Sequence, residues 1–183
     1  MPIQNIPLSW GTYMWEGQLD FSGYGQGSPR IGKDTLHLKM YRPIFKFAPD
    51  MISGEIVSAS FNFYCDKTGG ANSDFTIHKV NRTVTTAATW YYSGSSVWTG
   101  LGCEATEEDR TYASLASYQF NSIGWHSISI PDLTFFNIWF GSQRAILLRG
   151  IQSPTNYASI TLSPAPFLAV EYTTSLVGGA QII

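Results

Sequence analysis

The stretch GSPRIGKD, residues 27–34, comes nearest to a known chemical motif. Gly27, Gly32 and Lys33 have the G-x-x-x-x-G-K spacing of a phosphate-binding loop. Asp34 stands where that loop needs a Ser or Thr for Mg²⁺, and it would place negative charge beside the phosphates. The next residues, TLHLKM, alternate like a strand, whereas the motif requires a helix N-terminus pointing at the anion. We therefore interpret the match as a coincidence in a glycine-rich loop that enters a strand.

The three histidines do not have the spacing of a catalytic or metal site. His37, His78 and His126 each lie in a strand-like pattern. None neighbours a G-x-S-x-G nucleophile elbow, and none belongs to an H-E-x-x-H zinc motif. We expect all three to be sheet residues with hydrogen-bonded ring nitrogens.

The carboxylates give an equally weak signal for catalysis or metal binding. Glu104, Glu107, Glu108 and Asp109 are close enough in sequence to form the solvated face of one loop, whereas glycoside hydrolysis needs two carboxylates across a cleft. Asp66, Asn72 and Asp74 would offer oxygens to calcium, but without an EF-hand register they indicate an Asx-rich turn (residues 66–74). We therefore predict a protein that is not an enzyme and has no catalytic residues, no metal and no cofactor.

Aromatic side chains are the most suggestive binding residues. Trp90, Tyr91, Tyr92 and Trp98 fall in the loop-like, Ser- and Gly-rich stretch WYYSGSSVWTG. Exposed aromatic rings anchor protein interfaces and stack on sugar rings, and the same rings also close the open end of a β-sandwich as core residues. Core packing, a protein interface and a glycan site all remain open for these four residues.

The remaining single-residue signals concern the compartment. Cys65 and Cys103 are too far apart for a metal-ligand pair or a C-x-x-C motif, and we expect two buried free thiols. The first twenty residues lack the basic and apolar regions of a signal peptide, so the N-x-T sequon at Asn81 is expected to stay unmodified. No apolar stretch approaches 18 residues, so we expect no membrane partner.

The composition indicates one globular domain with an adhesive surface. The chain has 183 residues, of which 13% are charged and 15% aromatic, and its net charge is −2. Soluble proteins usually carry about 25% charged residues. A surface with so few charges repels its neighbours weakly. The scattered basic residues do not form the footprint that a phosphate backbone requires, so we expect no nucleic-acid partner.

Alternation with a period of two residues dominates the chain and must position these side chains. In residues 56–65, IVSASFNFYC, one face is formed by Val57, Ala59, Phe61, Phe63 and Cys65, which is typical of a half-buried antiparallel strand. We expect FTIHKV (75–80) to return as its hairpin partner. Further predicted strands are TLHLKM (35–40), IFKF (44–47), GWHSISI (124–130), AILLRG (145–150), YASITL (157–162) and FLAVEY (167–172).

About eight short strands separated by turn signals predict an all-β, antiparallel β-sandwich, with a jelly roll as the first choice. Pro43 predicts a bulge or break in its strand. Residues 103–118 predict a short helix or a long loop, and AILLRG, apolar on both faces, predicts a central strand. We assign residues 1–19 to an N-terminal arm, 20–173 to the sandwich, and 174–183 to a C-terminal tail ending in the apolar residues Leu176, Val177, Ile182 and Ile183.

The order of these segments resembles the DNRLRE-type domain, a carbohydrate-binding-module-like jelly roll of bacterial surface proteins and phage structural proteins. The resemblance spans residues 20–173 and is best at IHKV, followed ten residues later by Thr89-Trp90, at GWHSISI, and at the LLR strand. Members often carry a Trp and a Glu where this chain has Val84 and Thr86. For that reason no site residues are carried over from the family.

The resemblance, together with the missing export signal, favours a phage virion protein made in the host cytoplasm. We expect a capsid decoration or cement protein that binds the shell and copies of itself through its arms and aromatic rim. A tail or fibre component and a glycan-binding module are the alternatives.

Overall fold

The protein is built from antiparallel β-strands. The computed structural model describes residues 1–33, 39–48, 54–68, 73–120, 122–131, 133, 144–150 and 157–173, and within these ranges there is no helix. Ten strands follow in chain order: β1 (Ile3–Trp15), β2 (Arg30–Lys33), β3 (Met40–Phe47), β4 (Ile56–Thr68), β5 (Ser73–Lys79), β6 (Ala116–Phe120), β7 (Gly124–Ser129), β8 (Ala145–Gly150), β9 (Tyr157–Ile160) and β10 (Phe167–Tyr172). The predicted all-β class is therefore confirmed.

The strands form two layers that are consistent with a β-sandwich. In one layer β4 lies between β7 and β10, and β10 also pairs with the first part of β1. In the other, β3 lies between the second part of β1 and β8, and β5 lies between β8 and β6. At a further junction β9 pairs with both β4 and β2, and β2 pairs with β3.

β1 belongs to both layers, which corrects the assignment of residues 1–19 to an arm. Residues 3–7 pair with β10, and the residues from Leu8 to Trp15 pair with β3. The register shifts between Leu8 and Trp10, where the strand passes from one layer to the other. Ile6 and Met14 are buried, so the segment contributes to the core and to the ladder at once. The tail, residues 174–183, lies outside the described residues.

The main core lies between the layers. The Phe61 ring of β4 lies 5.7 Å from that of Phe45 in β3, and the Phe63 ring lies 6.4 Å from that of Phe75 in β5. These strands are not hydrogen-bonded neighbours, so the rings meet across the layers. The predicted alternation of β4 is confirmed for Ala59, Phe61, Phe63 and Cys65, which are all buried. It is wrong for Val57, because the register with β10 shifts between Ser58 and Ile56, and Ile56 is the buried residue there. Burying one such phenylalanine stabilises the fold by roughly 2–3 kcal/mol.

The predicted hairpin between residues 56–65 and 75–80 is wrong. β4 pairs with β7, β9 and β10, whereas β5 crosses to the other layer and pairs with β6 and β8. The core-facing side of each strand is apolar. These two apolar sides pack against each other across the core, so the strands need not be hydrogen-bonded neighbours.

Pro43 does not break its strand, contrary to the sequence-based expectation. β3 runs without interruption from Met40 to Phe47 and pairs with β1 through Pro43. Its opposite edge pairs with β2 at residues 40–41 and with β8 at residues 44–46. Pro43 therefore sits between two ladders, where a missing N–H costs least. The prediction that β8 is a central strand is confirmed, since it lies between β3 and β5.

Candidate functional site

Polar side chains gather on the outer face of β3, β8 and β5. Alternation turns Phe45, Ile146 and Ile77 toward the main core, so the neighbouring positions face outward. Arg42, Arg149 and His78 occupy this outer face beside apolar residues such as Ile44 and Leu147. An outer face that mixes apolar and charged side chains must be covered by a segment that packs against the apolar ones and offers counter-charges and hydrogen bonds to the charged ones.

Residues 80–115, here named the covering loop, provide that cover. The loop forms a second core on the outer face with Val84, Trp90, Trp98 and Cys103, which pack with Ile44 and Leu147. The indole Nε1 of Trp98 donates to the backbone oxygen of Thr89 at 2.9 Å. The acidic part of the sequence is thus a long loop, one of the two predicted outcomes, and its last residues lead directly into β6 at residue 116.

Trp90 and Trp98 are core residues, which corrects their selection as interface or ligand candidates. Their exposed fractions are 6% and 2%. The ring of Trp90 also supports the guanidinium of Arg42, whose Cζ lies 4.7 Å from the ring centroid. Core packing, one of the three alternatives for these aromatics, therefore applies to both tryptophans.

A buried carboxylate, Asp109, organises the covering loop. It is fully buried, and its Oδ1 accepts Nε–H of Arg82 at 2.6 Å and N–H of Thr99 at 3.1 Å. Its Oδ2 accepts N–H of Gly100 at 2.8 Å and N–H of Ala105 at 3.3 Å. Asp109 is therefore not part of a solvated loop face, as the acidic run had suggested, but the centre around which the loop turns.

Glu104 brings three arginines together, and we name Arg42, Arg110 and Arg149 the arginine cluster. Arg149 donates to both carboxylate oxygens, with Nη2 at 2.6 Å from Oε1. Nη1 of Arg42 lies 3.1 Å and Nη2 of Arg110 lies 3.8 Å from Oε2. Burial acts to raise the pKa of Glu104, but the Arg149 hydrogen bonds and the three positive charges outweigh it and hold the pKa below its usual value.

The two inner arginines of the cluster are almost fully buried. The side chains of Arg42 and Arg110 are 5% and 7% exposed, and within the described ranges the Nε of each has no hydrogen-bond partner. Burial, together with the charges of Arg149 and Arg110, lowers the pKa of Arg42, although Glu104 opposes this shift. Three guanidinium groups thus share one carboxylate, and positive charge is in excess at this point.

His78 lies beside the arginine cluster as a neutral side chain. Its Nδ1 lies 3.0 Å from the Thr111 carbonyl oxygen and 3.3 Å from Nη1 of Arg110, and its Nε2 lies 2.9 Å from Thr76 Oγ1. The carbonyl requires Nδ1 to donate and the guanidinium requires it to accept, so each tautomer makes one of these two Nδ1 contacts as a hydrogen bond. Burial and the charge of Arg110 lower the pKa of His78 to about 4. Thr76 and His78 have the separation of a nucleophile and its base, but so low a pKa makes His78 a weak base at neutral pH.

An aromatic face lies on the opposite outer side, on β7, β4 and β10, and we define it as Tyr64, Trp125 and Phe167. Trp125 is 53% exposed and pairs across the strands with Tyr64, with ring centroids 5.9 Å apart. The Phe167 ring lies 6.0 Å from the Trp125 ring. These residues were not predicted as a surface from the sequence, although the alternation of GWHSISI places Trp125 opposite in phase to the buried His126.

A second exposed apolar surface is formed by the covering loop and by Leu19, which follows β1, and we name Leu19, Tyr91, Tyr92 and Val97 the loop patch. Tyr91 and Tyr92 are 36% and 42% exposed, and their rings meet edge to face at 4.8 Å. The N–H of Tyr91 donates to the Leu19 backbone oxygen, and Tyr92 pairs with Val97. These two of the predicted interface residues are thus on the surface, whereas Leu176, Val177, Ile182 and Ile183 lie outside the described residues.

The other histidine and cysteine candidates are structural where the structure describes them. His126 is buried, and its ring nitrogens lie 2.7 Å from the Tyr118 hydroxyl and 3.0 Å from the Ser122 carbonyl oxygen. Cys65 and Cys103 are buried free thiols, as expected, and burial raises the pKa of Cys65 to about 11. His37 lies outside the described residues.

Two sequence motifs are likewise used for structure. Gly32 and Lys33 of the phosphate-loop-like motif lie in β2, where Gly32 packs against Gly150 so closely that a Cβ on Gly150 would lie 2.8 Å from the Gly32 Cα. Asp66, a calcium candidate, accepts the hydroxyls of Ser28 and Ser159. Asp74, the second candidate, lies in β5, and Asn72 lies outside the described residues. No group of three or more metal-ligating side chains occurs in the described ranges.

Comparisons with known proteins do not assign the chain to a family. A scan against protein-family models gave no match, and a search of curated proteins found no similar sequence. The resemblance to the DNRLRE-type domain and the jelly-roll topology therefore remain predictions. In the part of the chain that the structure describes, no helix is long and apolar enough to cross a membrane.

Proposed function

We propose that the protein is a non-enzymatic structural component of a bacteriophage virion, of the capsid decoration or cement type. The observation that carries the proposal is the presence of two exposed apolar surfaces on opposite outer sides of the two layers. The aromatic face lies outside β7, β4 and β10, and the loop patch lies on the covering loop outside β3, β8 and β5. A molecule with two such surfaces joins two neighbours, which is what a cement protein must do.

The aromatic face has the composition of an interface centre. Uncharged residues of the same strands lie beside its three rings, among them the exposed Ser127 and Ser129. Aromatic residues dominate the binding energy of many interfaces, surrounded by contacts that mainly exclude water. A stable interface buries about 800 Å² per partner, so the rings would anchor a larger contact area.

The loop patch supports the same function by a different route. Tyr92 and Val97 are held in register by a backbone bridge, so the apolar side chains are presented on an ordered turn. A preordered surface loses less conformational entropy on binding. Because the two surfaces differ, contact between them would be heterologous and would extend from copy to copy or onto a shell.

Association measurements with matched variants test this proposal. We expect the wild-type chain to self-associate, or to bind the shell or tail protein encoded beside it, in analytical ultracentrifugation. Trp125→Ala and Tyr92→Ala should each weaken association at least tenfold, whereas Tyr24→Ala, which removes a tyrosine that is 54% exposed elsewhere, should not. A monomer that binds no product of its neighbouring genes, or a gene neighbourhood without virion genes, contradicts the proposal.

A glycan-binding module is the second candidate, favoured by the aromatic face. Trp125 lies next to hydroxyl and amide groups from Ser127 and Asn62, and stacking plus hydrogen bonding is how proteins hold sugar rings. A glycan array separates the two candidates. Saturable binding to a sugar that is lost in Trp125→Ala and retained in Tyr24→Ala supports the module, and the absence of any signal leaves the structural function as the one supported.

A further inference from the structure

A cleft opens beside the arginine cluster, between β5, β8 and the covering loop. Its volume is about 440 Å³, and its walls include Thr76, His78, Arg110, Tyr112, Ser114 and Arg149. The cleft lies apart from the aromatic face and the loop patch, since none of their residues line it. It is therefore a separate recognition surface on the same molecule.

Positive charge is in excess along one wall of this cleft. Three guanidinium groups contact one carboxylate, that of Glu104, in the ion pairs of the described residues. The neighbouring carboxylate, Asp109, is engaged by Arg82, and Glu107 accepts the N–H of Tyr112 at 2.7 Å. Burying guanidinium groups is costly unless their charge and their donors are matched. Among the residues that the structure describes, Glu104 is the single carboxylate in ion-pair contact with these three guanidinium groups, and the negative charge of Glu107 lies beside Tyr112 and offsets part of the excess.

Hydrogen-bond donors of the arginines also indicate that negatively charged or acceptor groups are too few at this cleft. Arg110 lines the cleft with a side chain that is 93% buried, and its buried Nε has no hydrogen-bond partner among the residues that the structure describes. Arg149 also lines the cleft, and 28% of its side chain remains open to solvent. Guanidinium groups bind carboxylates, sulfates and phosphates because several N–H donors lie in one plane.

We propose that this cleft binds a small ligand that carries an oxyanion, namely a carboxylate, a sulfate ester or a phosphate ester. Arg149 and Arg110 hold the anionic group, and the hydroxyls of Thr76 and Ser114 bond to the polar body of the ligand. Tyr112 is 76% exposed at the mouth of the cleft, where its ring is free to cover a sugar. Neutral His78 adds no competing charge and leaves the recognition to the arginines.

Titration of the full-length protein tests the proposal without any substitution. Amide NMR spectra are recorded with sodium sulfate, inorganic phosphate, glucuronate and neutral glucose at constant ionic strength. We expect saturable shifts in the cleft residues for at least one anion at concentrations up to about 10 mM, since a dissociation constant near 1 mM is a reasonable value for a small-anion contact. Glucose should give none. If no anion shifts the cleft residues, the proposal is wrong.

Matched variants identify the arginine contribution. Arg149→Gln should weaken the binding of the anion about tenfold, whereas Arg30→Gln, which removes the same charge from β2 outside the cleft, should change it less than twofold. Equal losses in both variants would show that only net charge matters and would overturn the site. Glu104→Gln should strengthen binding, because it removes the carboxylate that competes for the arginines. A weaker affinity in that variant, with its fold intact by circular dichroism, would also contradict the proposal.

Tyr112→Ala distinguishes the source of the anion. If the ligand is an acidic sugar, this substitution should lower the affinity for glucuronate severalfold and leave that for sulfate unchanged. If the site takes the oxyanion alone, both affinities should be unaffected by Tyr112→Ala and equally reduced by Arg149→Gln. The exposed position of Tyr112 makes the variant safe for folding.

Discussion

Replacing Asp109 by alanine should destabilise the protein more than any other change in the acidic run. The carboxylate is fully buried and accepts four hydrogen bonds, two of them shorter than 3 Å. Hydrogen bonds to a charged group contribute about 1.5–3 kcal/mol when short, and the longer ones about 0.5 kcal/mol each. The Arg82 side chain is 30% exposed and recovers some hydration when its partner is lost. We therefore expect a loss of about 3–4 kcal/mol, within the range for breaking a buried ion pair.

Chemical denaturation is the assay for this prediction. Urea unfolding followed by tryptophan fluorescence is suitable, because Trp90 and Trp98 lie in the core that the covering loop forms. Thermal unfolding should show a decrease of about 10 °C in the midpoint, given that 1 kcal/mol corresponds to roughly 2–4 °C for a chain of this size. Asp109→Asn keeps one acceptor oxygen and the shape of the side chain, so it should show about half of the loss.

Glu108→Ala is the matched control. Glu108 is the immediate neighbour of Asp109, carries the same charge and is exposed, so its removal should change the stability by less than about 0.5 kcal/mol. If Asp109→Ala costs under about 1 kcal/mol, or no more than Glu108→Ala, then Asp109 does not organise the covering loop and the reasoning from its four hydrogen bonds fails.

Three further predictions follow from the same part of the fold. His78 should destabilise the folded state as the pH falls from 6.5 to 4. Its pKa of about 4 lies below that of an unfolded histidine, so the unfolded chain binds more protons in that window. About 2 kcal/mol of stability should be lost after allowance for solvent screening, and His78→Gln should remove that part of the pH dependence of urea unfolding. Gly102→Ala should cost about 2 kcal/mol in thermal unfolding, because the residue has a φ of +70° and a Cβ would lie 2.7 Å from the Trp90 ring. Trp98→Phe should cost about 2–3 kcal/mol through a lost buried hydrogen bond and a cavity, whereas Tyr92→Ala should stay within about 0.5 kcal/mol in the isolated chain.

Alternation within single strands could be predicted from the sequence, because it depends on neighbouring residues alone. The buried faces of β4 and β7 follow the period of two through Phe61, Phe63, His126 and Ile128. β8 was equally predictable, since a run that is apolar on both faces requires neighbours on both sides. In each case the pattern states which side chains are buried but not which strand covers them.

Pairing partners could not be predicted for the same reason. The turn after residue 68 indicated that β5 returns beside β4, yet the apolar face of β5 is equally satisfied when it lies opposite β4 in the other layer. The rings of Phe63 and Phe75 are in contact in the observed arrangement, across the core instead of along a hairpin. Likewise residues 1–19, which precede the segment that resembles the DNRLRE-type domain, were expected to form an arm, and only the pairing of β1 with both β10 and β3 makes them part of the sheet.

The arginine cluster could not be predicted from the sequence, because its members are far apart along the chain. Arg42, Arg110 and Arg149 come from β3, the covering loop and β8, and Glu104 joins them only when the loop folds over the sheet. One signal was present. Arg42 and Arg149 each share the phase of buried apolar residues, Ile44 and Leu147, and a charged residue on an apolar strand face indicates a buried partner.

The chain has few charged residues, and a quarter of them belong to the charge network of the covering loop. Six of the 24 charged residues (11 basic and 13 acidic), namely Arg42, Arg82, Glu104, Asp109, Arg110 and Arg149, lie in the covering-loop network. Three of these charges, on Arg42, Asp109 and Arg110, are buried, and the other three are partly exposed but paired, so the network adds little to the repulsion between neighbouring molecules. The outer sides are left to serines, threonines and the exposed rings of Trp125 and Tyr92. The same distribution leaves the two apolar surfaces with few charges, and if they act as interfaces as we propose, adding charge there, as in Ser127→Lys, should weaken association without weakening the fold.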